Sequence, residues 1–225
     1  VRPTESDLAD LAATIGEIPN EHPLAFLVRQ AKDFRSAPAL ADALLNPQDR
    51  AYTVPELYDW LESCDCSFGR WTLQAPYLAN CGVVAQAPHA ERLAALQAPQ
   101  QHAALELFRG TMVTHEFSAF ATEEGASAPS IRFDDDSMLD YVPIRVPGTI
   151  VVEERLPPGA AAVLINPRHR YTDIYLPIDA SEKKLLNVIN GRRPVRDLLR
   201  KHAKARDFIE RLWQHDQIVI DASGS

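Results

Sequence analysis

Glycine is scarce in this sequence, at nine of 225 residues against 17 prolines. So few glycines leave little material for a phosphate-cradling loop, while the prolines suit short helices separated by rigid connections. Cysteine is scarcer: Cys64, Cys66 and Cys81 are an odd number, far below the density of a disulfide-framed secreted domain. Reduced thiols and a cytoplasmic location are the expectation. No run approaches about 18 consecutive apolar residues, so no membrane-spanning helix is expected. The start, Val1-Arg2-Pro3-Thr4-Glu5, lacks the basic and then apolar pattern of a signal peptide. It also lacks an initiating Met, which predicts a chain that begins inside a longer protein. Lysine and arginine number 23 against 31 acidic residues, a net charge of −8. That balance argues against a protein coating nucleic acid over its whole surface.

What is present is an apolar fraction of 46%, enough for one large or two small cores. Leu8, Leu11, Ala12 and Ile15 recur at helical spacing up to Gly16, predicting a helix over 4–16. Further helical runs span 24–31, after Pro23, and 37–45, ended by Asn46-Pro47. Thr53-Val54-Pro55-Glu56 is a capping box with an early proline, ahead of Leu57, Tyr58, Trp60 and Leu61. Residues 67–73, short and aromatic, read as a strand. Helical runs at 90–96 and 102–108 follow, the second ending at Gly110. Residues 111–122 alternate in polarity and read as a second strand.

The stretch 123–130 is small and polar, which predicts a linker between a unit at 1–123 and a unit at 124–225. Beyond it, 141–154 and 161–165 are β-rich around Pro157-Pro158-Gly159, and 173–176 is extended. A second capping box, Asp179-Ala180-Ser181-Glu182, opens a helix ended by Asn190-Gly191; Pro194 opens another; Phe208, Ile209, Leu212 and Trp213 mark a third. The strand 218–220 closes a helix, helix, helix, strand order, the pattern of a small winged-helix module.

Chemical motifs are sparse. Cys64 and Cys66 could supply two thiolates to zinc, but Cys81 and His89 stand at no recognised ligand spacing from them, so ordinary reduced cysteines are the expectation. Asp134-Asp135-Asp136 lacks the alternation and central Gly of a calcium loop and reads as a solvated acidic loop. No paired-histidine metalloprotease pattern and no serine elbow identifies a hydrolase. Nine cations (Lys183, Lys184, Arg192, Arg193, Arg196, Arg200, Lys201, Lys204, Arg206) face only Glu182 and Asp197 between 182 and 206, a local charge of +7. A winged helix with that charge could read DNA; a solvated face or a protein-docking surface competes with it. Tyr52, Trp60, Phe68, Trp71 and Tyr77 cluster around the first strand as core, with a pocket wall as the minority reading.

Several runs go beyond generic helix: His22-Pro23-Leu24-Ala25, Asp33-Phe34-Arg35-Ser36, and Ala41 through Pro55 with Leu44-Leu45-Asn46-Pro47 at its centre. Phe68-Gly69-Arg70-Trp71, Gln74-Ala75-Pro76-Tyr77-Leu78, Cys81-Gly82 and Glu106-Leu107-Phe108-Arg109-Gly110-Thr111-Met112 continue them. With these the chain resembles bacterial class I S-adenosylmethionine-dependent methyltransferases. Pro177-Ile178-Asp179-Ala180, Asn190-Gly191-Arg192-Arg193 and Phe208-Ile209-Glu210-Arg211-Leu212-Trp213 resemble the terminal winged-helix extension of that family.

The resemblance implies an α/β fold, α+β in this segment: the C-terminal part of a Rossmann-like domain, its terminal hairpin interrupted by a helical insert, then a winged-helix-like module. The cofactor of such an enzyme, S-adenosylmethionine, is held by a Gly-rich loop after the first strand. Gly16, Gly69 and Gly82 are isolated, so this chain is not expected to bind the cofactor alone. The resemblance then implies an accessory part, for substrate recognition or regulation, with Trp71, Gln74, Tyr77 and His115 on the acceptor side and no assigned catalytic or metal-binding residue. Expected partners are the missing methyltransferase half or a second copy, covering exposed sheet edges, and a peptide or protein substrate. A DNA-binding or protein-interaction role for 182–206 is the alternative.

Overall fold

The computed structural model describes residues 4–22, 24–25, 28, 36–46, 48–122, 131–200, 202 and 205–223. Contacts divide the chain after Ala51 into one unit ending there and one running from Tyr52. The boundary expected at 123/124 lies among residues outside the described set, as does most of the helix expected at 24–31. Described elements are helices and small antiparallel sheets, a mixed α+β architecture. None of the described helices is long and apolar enough to cross a membrane.

In the first unit, α1 (Glu5–Gly16) opens on a capping box in which Thr4 and Asp7 satisfy each other's backbone N–H groups. It packs against α2 (Ala37–Leu45), capped by Ser36.

The second unit begins with α3 (Val54–Ser63), whose Thr53 and Glu56 form the expected capping box. Its buried face of Val54, Leu57 and Leu61 packs with Trp71 and Tyr77 into one core. Strand β1 (Cys66–Trp71) follows, and its partner β2 (Phe117–Ala121) returns antiparallel only after a helical insert. The insert contains 3-10 turns at Ala75–Tyr77 and Gly82–Gln86, then α4 (Ala90–Ala94) and α5 (Ala98–Arg109). Gly69 sits at the irregularity between Phe68 and Arg70, where a Cβ would lie 2.5 Å from the Phe120 ring and 2.9 Å from the Ser118 carbonyl oxygen. Only a residue without a side chain allows that approach. The strand expected over 111–122 is confined to residues 117–121. The cause is the partner: beyond the Thr72 N–H to Glu116 carbonyl bond, β1 bends into the 3-10 turn and offers no ladder.

After residue 131, β3 (Val142–Arg145) pairs with the terminal β7 (Ile218–Asp221), while β4 (Ile150–Val152), β5 (Ala162–Ile165) and β6 (Leu176–Ile178) form a separate antiparallel sheet. The extended piece expected at 173–176 is paired at 176–178. Helices α6 (Ala180–Val188), α7 (Val195–Leu199) and α8 (Ala205–Gln214) complete this part, with Met138, Leu164, Ile178, Ile189, Phe208, Ile209, Leu212 and Ile218 in its core. Asp179 caps α6 reciprocally with Glu182. Polar side chains tie the insert to the terminal part: Gln74 Nε2 donates to the Trp213 carbonyl at 2.6 Å, and Asn80 Nδ2 to Gln214 Oε1 at 2.6 Å.

The basic segment is partly neutralised. Lys183 pairs with Glu153, Arg196 with Asp140, Arg200 with Asp197 and Arg206 with Asp136. Lys201 and Lys204 fall outside the described residues.

Candidate functional site

Trp71 ends β1 and is 1% exposed. Its ring stacks on Tyr77 at 3.9 Å between centroids and 7° between planes, because the 3-10 turn at 75–77 folds the chain back over the strand end. The indole Nε1–H donates to His102 Nδ1 at 3.1 Å, and the Tyr58 hydroxyl lies 2.9 Å from the same nitrogen. An indole N–H can only donate, so His102 Nδ1 is the acceptor and the ring is neutral. Burial pushes the His102 pKa down to about 4.

This has a consequence for stability against pH. Between the ordinary histidine value of 6.5 and about 4, the unfolded chain binds more protons than the folded one. Stability from this site is full above the upper value and falls as the pH drops towards the lower, by about 3 kcal/mol in all. His215, also pushed down by burial, adds a slope of the same sign. Urea midpoints from pH 7 to 4 should therefore fall less steeply in His102→Gln than in the parent, with part of the slope left.

Tyr77 is the head of a polar chain. Its hydroxyl lies 2.7 Å from His115 Nδ1, His115 Nε2 lies 3.1 Å from Glu106 Oε1, and Glu106 Oε2 accepts the Val54 N–H at 2.9 Å. A carboxylate only accepts, so His115 donates from Nε2, and in the neutral ring Nδ1 accepts the Tyr77 proton. Burial pushes the Tyr77 phenol up, and Tyr171, Glu106 and Glu116 add to it. Tyr77 is therefore a held donor, not a base.

A second carboxylate lies across the unit. Asp216, 4% exposed, accepts the backbone N–H groups of Gln74 at 3.1 Å and Ala75 at 2.9 Å, with Arg70 Nη2 at 3.9 Å. It occupies the turn after α8 with φ 54°, a left-handed conformation that Asp tolerates better than most residues. The His169 side chain is 2% exposed, and its Nε2 is 3.4 Å from Asp216 Oδ2. The alignment closes no hydrogen bond, so neither ring nitrogen of His169 has a hydrogen-bond partner among the described residues.

Between these groups opens a cleft of about 300 Å³. Leu73, Pro76, Tyr77, Met112 and Val113 form one side, with Thr111, Thr114 and Glu116 beside them; residues 168–171, Arg-His-Arg-Tyr, form the other. Tyr171 is held by Arg109, whose guanidinium lies 4.7 Å from the ring centroid and donates from Nη1 to Asp173 at 2.7 and 2.9 Å. Asp173 also accepts the Val83 N–H, beside Gly82 at φ +74°, where a Cβ would meet Asp173 Oδ2 at 2.3 Å.

Of the four residues expected at the site, Trp71, Tyr77 and His115 meet. Only Tyr77 lines the cleft; Trp71 backs it and His115 holds its hydroxyl. Gln74 is 5% exposed and serves as a tie to Trp213 and Asp216. Glu106, His169 and Asp216 were not expected. Glu106 stands in the Glu-Leu-Phe-Arg-Gly-Thr-Met run that carries the resemblance; His169 and Asp216 meet only through the fold.

Cys81 and His215 approach at 3.7 Å but make no nucleophile pair. Burial, with Asp216, pushes the thiol up, and His215 Nδ1 donates to the Arg211 carbonyl at 2.9 Å, leaving it no lone pair for the thiol proton. All three cysteines are free thiols, and no cluster of metal-ligating side chains occurs among the described residues.

The described residues do not fit the Rossmann manner of holding S-adenosylmethionine. Every described strand pair is antiparallel, so there is no crevice at the carboxyl ends of parallel strands. The space over Gly82 is taken by Asp173. No protein-family model matches the chain, and no curated protein matches it significantly.

Proposed function

We propose that the chain is the C-terminal, accessory part of a bacterial class I S-adenosylmethionine-dependent methyltransferase, serving substrate recognition or regulation and not catalytic by itself. In this reading β1, β2 and the insert are the terminal hairpin of a Rossmann-like sheet, and the part after 131 is a winged-helix-like extension. One observation carries it. The runs that resemble the family, 74–78 and 106–112, supply Pro76, Tyr77, Thr111 and Met112 to the cleft and Glu106 to the chain behind Tyr77. A cleft with held donors, apolar walls and no activated nucleophile suits positioning of a methyl acceptor, which needs alignment above all.

The rest of the methyltransferase, or a second copy, is the partner that covers the open edges of the β1–β2 pair and exposed Leu107, Phe108 and Val113. The alternative, a DNA-binding or protein-interaction role for 182–206, is disfavoured by the ion pairs that occupy Lys183, Arg196, Arg200 and Arg206.

Calorimetric titration of S-adenosylmethionine into the chain tests the reading. The expected result is no heat at concentrations well above micromolar. Saturable one-to-one binding would mean that the cofactor is held here without a glycine loop, and the accessory role would fall.

A further inference from the structure

We infer that the cleft takes a small aromatic acid, its ring between the Tyr77 and Tyr171 sides and its carboxylate at Arg170. The inference deepens the acceptor-side reading above, since it names the class of compound held there.

The size comes first: about 300 Å³ is at the lower end of ligand pockets, room for a one-ring compound and not for a folded peptide. Leu73, Pro76, Met112 and Val113 offer apolar contact, and Tyr77 and Tyr171 offer aromatic contact. Neither ring is free to swing away: Tyr77 is fixed by Trp71 and His115, and Tyr171 by Arg109. A rigid aromatic wall favours a flat ring over a flexible chain.

Charge selects the sign of the ligand. Arg168 and Arg170 line the cleft against one carboxylate, Glu116. Glu116 Oε2 lies 4.0 Å from Arg168 Nη2, which leaves Arg170 without an acidic partner among the described residues. Asp216, behind His169, is already engaged by two backbone N–H groups and Arg70. A guanidinium is the side chain that best matches a planar carboxylate, through two parallel N–H bonds.

The third observation is His169. It lines the cleft with its side chain 2% exposed, its Nε2 facing Asp216 Oδ2 at 3.4 Å and its Nδ1 without a hydrogen-bond partner among the described residues. Buried polar groups are satisfied in nearly all folded proteins, so the unpaired Nδ1 is the one ring atom that an occupant of the cleft is left to satisfy. An oxygen-bearing substituent on the ring, or the carboxylate itself, meets that need.

The test uses benzoate and its uncharged analogue benzamide as probes, titrated into the full 225-residue chain and followed by amide NMR shifts. Benzoate should bind and shift Tyr77, Met112 and residues 168–171, with benzamide weaker by about tenfold. Arg170→Gln, an exposed change that leaves the core alone, should weaken benzoate by about the same factor and leave benzamide unchanged. Equal binding of the two probes, indifference of benzoate to Arg170→Gln, or shifts elsewhere on the surface would each overturn the assignment. Because no cofactor is present, this failure is separable from that of the methyltransferase reading, which the S-adenosylmethionine titration decides.

Discussion

Asp216→Ala should cost about 3–5 kcal/mol of folding stability, a large share of the margin of a chain this size. The carboxylate is buried and accepts the N–H groups of Gln74 and Ala75, so its loss strands two backbone donors at a cost of about 1–3 kcal/mol each. Alanine also tolerates the left-handed backbone at this turn poorly, adding about 1 kcal/mol. Arg70 loses its counter-charge and His169 the carboxylate beside its Nε2 as well. Asp216→Asn keeps one acceptor oxygen and the backbone preference, so it should cost clearly less. Urea denaturation of the two variants measures the difference. A loss below about 1 kcal/mol in Asp216→Ala would mean that this turn does not join the insert to the terminal part as described.

Trp71→Ala is the second large effect, at about 3–5 kcal/mol. The ring is almost wholly buried, stacks on Tyr77, and meets His102, Phe68 and Phe117 at tilted or edge-on angles. Deleting it opens a cavity under the cleft wall and removes the N–H that fixes the His102 tautomer. Tyr77→Phe is the contrast: the ring and its stacking stay, and only the hydroxyl bonded to His115 goes, for about 1 kcal/mol. Thermal or urea unfolding should therefore separate the two by several-fold. If Trp71→Ala were as mild as Tyr77→Phe, Trp71 would not be the core element that backs the cleft.

What could be read from the sequence is what local chemistry decides. The Thr53–Glu56 and Asp179–Glu182 caps close within one turn, so α3 and α6 begin where those residues say. The two strands of the interrupted hairpin were legible as separate segments from their aromatic and alternating patterns. The extent of the second was not, because 111–116 alternate like a strand while the partner backbone has already turned away at Thr72. Whether a pattern becomes a ladder depends on the other chain segment. Residues 141–154 show the same limit: both strands are there, yet they pair with β7 and β5 and not with each other.

The site divides in a similar way. Tyr77 and His115 were named together through the resemblance, and they are in hydrogen-bond contact. Glu106 carries no site signal of its own in the sequence, because its role depends on α5 facing both His115 and the first turn of α3. His169 and Asp216 gave no signal, since a histidine in a loop and an aspartate after a helix are ordinary until β5 and α8 bring them together; Asn166, donating to the Asp216 carbonyl at 2.7 Å, helps to hold that approach. Gln74, expected on the acceptor side, donates its amide to the Trp213 carbonyl.

The most direct test of the account is amide NMR on the isotope-labelled chain with S-adenosylmethionine in one titration and benzoate in another. The account predicts no saturable shifts with S-adenosylmethionine, and with benzoate a saturable set confined to Leu73 and Tyr77, the 111–116 segment and residues 168–171. Saturable shifts with S-adenosylmethionine, or benzoate shifts gathered outside that cleft, would contradict it.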